Sequence, residues 1–248
     1  MIIKRILIII LLTIIFLLSN CSIYAQVSKG VLNRILFIRY GNHTGSAFTI
    51  EINEQQYIIT ARHIVENIRE EDNIFIYYDL GWNDLKVKTI SFDDPKFDVI
   101  VLVPDFQITP KTDIKFTMDG LCIGQDIYFL GFPFGLKTEV GELNSNFPLP
   151  FVKKGTCSAI DSTDKEFKKI WIDGFSNPGF SGGPIVFKDY SSGNFKIAGL
   201  LKGHLSEKVD IYSNNNIDTN DFVEINSGII LGISINSIID RINRTIKQ

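Results

Sequence analysis

The stretch Asn177-Pro178-Gly179-Phe180-Ser181-Gly182-Gly183-Pro184 holds the residues of this chain best suited to chemistry. A serine hydroxyl is a poor nucleophile unless it is held exposed beside a base. Gly179 lets the backbone turn so that its own N–H and that of Ser181 can point into one cavity. Two such donors would form an oxyanion hole, usually the largest electrostatic contribution to acyl transfer. Gly182 and Gly183 leave room for the ring of a base and for the return into a strand at Pro184. A Gly-Pro turn joining two strands is the plainer alternative, and it does not require this whole string.

The base should be a histidine at the end of a strand. The chain has three histidines, His43, His63 and His204. Of these, His63 follows the apolar run Tyr57-Ile58-Ile59-Thr60 through the short turn Ala61-Arg62. That context fixes the backbone and can present the ring at an interface. The third partner must be a carboxylate that accepts the second N–H of the histidine and holds its tautomer. Asp93, Asp94 and Asp98 compete for the role. Asp98 opens the apolar run Val99–Val103, whereas Asp93-Asp94-Pro95 reads as an exposed turn, so Asp98 is the expected partner.

The elements that must carry these residues are strands. Short runs rich in Ile, Val, Phe and Tyr recur between turn residues. Strands are predicted near 34–40, 46–52, 56–60, 73–79, 86–92 and 98–103, and again near 126–131, 153–160, 169–173, 184–188, 195–202 and 229–234. Pro104–Gly120 reads as a linker, giving an N-terminal unit over 26–108 and a C-terminal unit over 109–248. Two sets of six strands predict an all-β fold of two packed six-stranded antiparallel barrels. Helical spacing occurs at the end, over 236–247, with Asn236 as the expected N-cap. Gly141–Pro150 and Ser206–Asn220 read as surface loops. The second is rich in Asn and Asp, but it lacks the ordered ligand pattern and closing Glu of a calcium loop.

The order His63, Asp98, Ser181 in these contexts resembles the trypsin-like serine peptidases, most closely their bacterial HtrA-like branch. Gly45-Ser46-Ala47-Phe48, Ile59-Thr60-Ala61-Arg62-His63, Phe97–Leu102, Leu130–Leu136 and Gly228–Ser234 carry the similarity. The resemblance implies two barrels with the triad in the cleft between them, Gly179 and Ser181 as oxyanion donors, and protein or peptide substrates. It calls for no metal or organic cofactor. By the same alignment Phe175, Lys202, Gly203 and His204 should line the primary pocket. Phe175 speaks against a carboxylate floor selecting Lys or Arg. His204 beside Lys202 could favour an acidic side chain, as in the glutamyl endopeptidases, while small or apolar residues are the expectation.

Three departures qualify the resemblance. Phe180 stands where digestive trypsins carry an aspartate that pairs with a newly freed N-terminus, so no such activation switch is expected. No peptide-binding (PDZ) domain is expected after the barrels, and the assembly behaviour of relatives that carry one is not implied. Arg62 replaces a small residue before the histidine. A peptidase scaffold that only binds proteins is the alternative to an enzyme, and fold alone does not separate them.

The N-terminus carries a targeting pattern. Lys4 and Arg5 precede the apolar run Ile6–Leu18, which is short for a membrane span of about 20 residues. Cleavage after Ala25 is expected, giving an exported, periplasmic or secreted protein. Leu18-Ser19-Asn20-Cys21 is the competing lipoprotein-like site, with Asn20 in an unusual place. A content of 45% hydrophobic and 21% charged residues suffices for a core, and a net charge of −3 gives no reason to expect nucleic acid as partner. Beyond the signal, Cys122 and Cys157 are too few for a disulfide scaffold; a single bridge or two buried thiols would fit.

Overall fold

The structure, a computed structural model, describes residues 27–247 apart from 93, 95, 165, 214 and 215. The expected export signal, Cys21 and Asp93 lie outside the described residues. Alternation sets the first barrel. In β5 (Gly81–Ile90) Leu85 and Val87 are buried while Lys86 and Lys88 face water, the period of a half-buried strand. With β1 (Ile35–Tyr40), β2 (His43–Ile52), β3 (Gln55–Thr60), β4 (Glu71–Tyr78) and β6 (Ile100–Pro104), it closes a barrel in the order β1-β2-β3-β6-β5-β4. Asn53-Glu54 and Asp79-Leu80 turn the β2–β3 and β4–β5 hairpins with positive φ at both positions. Such turns match the twist of the flanking strands.

The second unit contains β7 (Lys115–Phe116), β8 (Asp126–Gly131), β9 (Phe151–Asp161), β10 (Lys169–Asp173), β11 (Pro184–Lys188), β12 (Phe195–Ser213) and β13 (Asn216–Ser234). The sheet runs β11-β8-β9-β10-β13-β12, and pairing of β11 with β12, Pro184 opposite Leu200, closes the ring. Strand β7 adds to β12 in parallel. The two-barrel, all-β expectation therefore holds, and the twelve predicted strands fall on twelve observed ones.

Two readings are corrected. Residues 206–213 and 216–220 belong to the long β12–β13 ribbon rather than to a loop. Its apolar residues Leu205, Val209, Ile211, Val223 and Ile225 are all exposed. A two-stranded ribbon has water on both faces, so polar composition there does not separate strand from loop. In the C-terminal helix (Ile235–Ile246) the N-cap position falls on Ser234, not Asn236, and the Ser234 side chain makes no capping hydrogen bond. Asn236 instead accepts a hydrogen bond from the Met118 amide at 2.8 Å and so ties the helix to the segment before β8. Cys122 is exposed and Cys157 buried, both as free thiols, and burial pushes the Cys157 thiol up.

The packing between barrels matters most for the site. Phe37, Phe48, Phe97 and Val101 from the first barrel share one buried cluster with Leu130, Phe132, Val186 and Leu200 from the second. Phe37 and Phe132 meet with ring centroids 4.8 Å apart. Phe97, which immediately precedes Asp98, is edge-on to Phe92 and Phe167 at 4.9 and 5.0 Å. Phe97→Ala would empty that junction, and should lower the unfolding free energy by about 3–5 kcal/mol in a urea titration. A loss below about 1 kcal/mol would show that the neighbouring rings collapse into the gap.

Candidate active site

Strand β3 runs straight into a 3₁₀ turn, Arg62–Val65, which carries His63. Ile64 and Val65 are buried and anchor the turn, leaving the His63 side chain half exposed. Asp98 precedes β6, the neighbour of β3 in the barrel. Its Oδ2 lies 2.7 Å from His63 Nδ1, and its Oδ1 accepts the His63 amide at 3.1 Å. One carboxylate thus holds both the ring and the backbone of the histidine. The Arg62 amide donates to the Asp98 carbonyl at 3.4 Å, and the Arg62 guanidinium donates to the Phe92 carbonyl. This gives Arg62 a role that sequence reasoning did not supply: it ties the histidine turn to the segment leading into Asp98. Asp94 takes no part. It caps its own turn by accepting the Lys96 amide.

Ser181 reaches the same cleft from the second barrel. The cleft has a volume of about 470 Å³, and His63, Gly179, Ser181, Lys202 and His204 are among the residues lining it. A depression of about 520 Å³ on the first barrel, between β4, β5 and residues 106–110, carries no histidine in its lining and lies apart from these groups.

The backbone before Ser181 is fixed from behind. The Pro178 carbonyl accepts the Phe134 amide at 2.9 Å, and the Phe180 carbonyl accepts the Gly183 amide at 2.9 Å. In a trans peptide the carbonyl and the following N–H point in opposite directions. The Gly179 and Ser181 amides are therefore turned the other way, toward the cleft that both residues line, and neither has an acceptor among the described residues. Gly179 adopts φ +102, and a Cβ there would run into the Phe132 carbonyl. At Gly182 a Cβ would meet the Ser46 carbonyl and Thr60 Oγ1. Gly182 is thus required by close approach of the two barrels, and Gly179 by close approach of the loop after β8.

Ser46 is the residue that sequence reasoning left without a role. It is fully buried on β2. Its hydroxyl donates to the Gly179 carbonyl at 2.6 Å and accepts the Phe132 amide at 3.0 Å. Its own amide donates to the Ser181 carbonyl at 3.2 Å. A buried-strand position at Ser46, directly before Ala47-Phe48, was the available signal. Phe180, fully buried and edge-on to Phe129 at 5.2 Å, packs the loop from the other side.

The expected pocket residues divide. Lys202, Gly203 and His204 line the cleft, and Phe175 does not. Phe175 is exposed, with the Lys153 ammonium 5.3 Å from its ring centroid. Lys153, which is missed by sequence reasoning, donates to the Phe175 carbonyl and to Asn177 Oδ1, both at 2.7 Å, and burial lowers its pKa. Ser176, also missed, is the buried residue beneath the cleft, 3.3 Å from His204 Nδ1.

Comparison with known proteins agrees with this geometry. Residues 45–194, more than half of the chain, match the trypsin-like peptidase domain. Among solved structures, the inactive form of the Rv3671c protease of M. tuberculosis aligns with TM-score 0.55 at 15% identity, over 86% of this chain and 89% of that one. The HtrA-type protease AlgW with a tripeptide aligns with TM-score 0.56 at 22% identity, over 88% of this chain and 61% of that one. The serine endoprotease from Yersinia pestis gives TM-score 0.61 at 18% identity, over 92% and 68%. At such identities the likeness is one of fold. No curated protein sequence matches. The domain match spans both the histidine turn and the serine loop, and on that basis the chain belongs to the trypsin-like peptidase family.

Proposed function

We propose that this peptidase is an endopeptidase that acts outside the cytoplasm, after removal of residues 1–25, through a His63–Asp98–Ser181 triad and an acyl-enzyme. What supports this reading is the Asp98–His63 hydrogen bond together with the place of His63 and Ser181 in the lining of one cleft, beside two unpaired, rigidly oriented amides. Ser181 Oγ attacks the substrate carbonyl as its proton passes to His63 Nε2. Asp98 holds the Nδ1–H tautomer and stabilises the imidazolium. The Gly179 and Ser181 amides receive the charge that develops on the carbonyl oxygen. His63 then gives its proton to the departing amine, leaving an ester on Ser181. A water, deprotonated by His63, attacks that ester and releases the acid. In this structure Ser181 Oγ has no hydrogen-bond partner among the described residues. Such contacts commonly tighten when substrate binds.

Ser181→Ala should reduce peptide hydrolysis by about 10⁴–10⁶-fold and abolish labelling by a fluorophosphonate. Asp98→Asn should cost roughly 10³–10⁴ at neutral pH, whereas Asp94→Asn should be mild. Retention of more than about a hundredth of the activity in Ser181→Ala would place the nucleophile elsewhere.

Ser46→Ala tests the support of the oxyanion site. Loss of the hydroxyl unpairs the Gly179 carbonyl and the Phe132 amide, so kcat should fall about 10–100-fold with little change in KM. Circular dichroism should report an unchanged fold. Wild-type kcat would show that the Phe134 contact holds the loop unaided.

Phe180 predicts activity without a second cleavage. An apolar, buried ring forms no ion pair with an α-amino group, so local packing and the Ser46 and Phe134 hydrogen bonds must hold the loop. A chain beginning at Gln26 and one carrying a short N-terminal tag should hydrolyse the same peptide at rates within about threefold after active-site titration. A tagged form that gains activity only when the tag is removed would show that a free N-terminus completes the site.

A further inference from the structure

We propose that the pocket beside Ser181 selects substrates carrying a carboxylate side chain immediately before the scissile bond. The inference rests on the peptidase reading given above and names its substrate class. It starts from what lines the cleft. No aspartate or glutamate does so, while His204, Lys202 and Ser176 do, together with the Gly203 backbone. In a chain with more acidic than basic residues, that stretch of wall presents a cation and donor groups with no carboxylate among them.

The arrangement is held in place rather than left to a loose surface. Ser176 is 2% exposed. Its carbonyl accepts the Asn226 side-chain amide at 2.7 Å, and Lys153 clamps the Phe175 carbonyl and Asn177 on either side of it. With the backbone so tied, Ser176 Oγ faces His204 Nδ1 at 3.3 Å. When the hydroxyl donates to Nδ1, the imidazole carries its hydrogen on Nε2, which has no partner among the described residues. That N–H is available to an acceptor in the pocket.

Lys202 sits beside it because β12 bulges there. Leu201 pairs with Gly232 and Gly203 with Leu231, so Lys202 is the additional residue. Bulges re-aim side chains next to active sites. The result is a cation and an N–H donor on one wall.

This wall discriminates three ways. A Lys or Arg side chain would meet Lys202 with no carboxylate in the lining to offset it. A Leu or Ala side chain would displace water from Ser176, Lys202 and His204 and return no hydrogen bond, the condition under which polar sites reject apolar analogues strongly. A Gln side chain would satisfy the His204 donor but bring no charge to Lys202. A carboxylate answers both.

The test is a set of peptides identical except for Glu, Asp, Gln, Leu, Ala or Lys before one cleavable bond, hydrolysed by the purified protein. The kcat/KM for Glu or Asp should exceed that for each of the others by at least about 10-fold. Lys202→Gln and His204→Ala should each shrink the Glu-over-Gln ratio by about fivefold or more. Stoichiometric fluorophosphonate labelling of Ser181 in both variants shows that the site remains folded. Equal or better cleavage after Gln, Leu, Ala or Lys, or an unchanged ratio in both labelled variants, overturns the pocket assignment and leaves the peptidase reading intact. A labelled Ser181 with no peptide cut also overturns the pocket assignment. Absence of both labelling and cleavage overturns the two together.

Discussion

Four hydrogen bonds meet at Ser46, a residue with no exposed surface on the second strand of the first barrel. Its hydroxyl links the Gly179 carbonyl to the Phe132 amide, its amide reaches the Ser181 carbonyl, and its carbonyl accepts the Thr60 hydroxyl at 2.8 Å. The proposed base, His63, stands on the first barrel and the proposed nucleophile, Ser181, on the second, so that chemistry would require the two to be held in register. Apolar packing around Phe37 and Phe132 brings the barrels together, but it is not directional. The Ser46 bonds are, and they fix the Gly179–Phe180 and Ser181–Gly182 peptides, which alternate with the two whose amides face the cleft. Each is worth on the order of 1 kcal/mol when made. An orphaned buried partner costs about 1–3 kcal/mol, which makes the seam sensitive to loss of one hydroxyl.

The remainder of the site can be seen as backing for that seam. Asp98 grips the ring and amide of His63, and Arg62 draws the same turn toward Phe92. Phe97 wedges the Asp98 segment between Phe92 and Phe167, so the carboxylate is placed by ring packing as well as by hydrogen bonds. On the other side, the Phe134 amide reaches over from the loop after β8 to hold the Pro178 carbonyl. Polar groups aim the reacting atoms, and aromatic rings keep the aiming groups from drifting.

Much of this was legible from sequence, for definite reasons. The glycines around Ser181 are required by backbone approach, so the requirement is written in the residues themselves. The strands announce themselves through alternation wherever one face is buried, as in Leu85 and Val87. Legibility fails where that asymmetry disappears: the ribbon beyond Leu205 has both faces in water, and polar residues there were read as a loop. It fails again where one residue acts through a partner distant in the chain. Ser46 and Gly179 are 133 positions apart, Ser176 and His204 are 28 apart, and nothing in either local pattern signals the other. Asn236 shows the same limit in a helix: its suitability as a cap was real, but Met118 took the side chain.

The seam between the barrels also makes activity depend on more than strand pairing. On the proposed mechanism, partial opening along Ser46 would part His63 from Ser181 while the hydrogen-bonded strands of each barrel stay paired, so a loosened molecule would be inactive before it is unfolded.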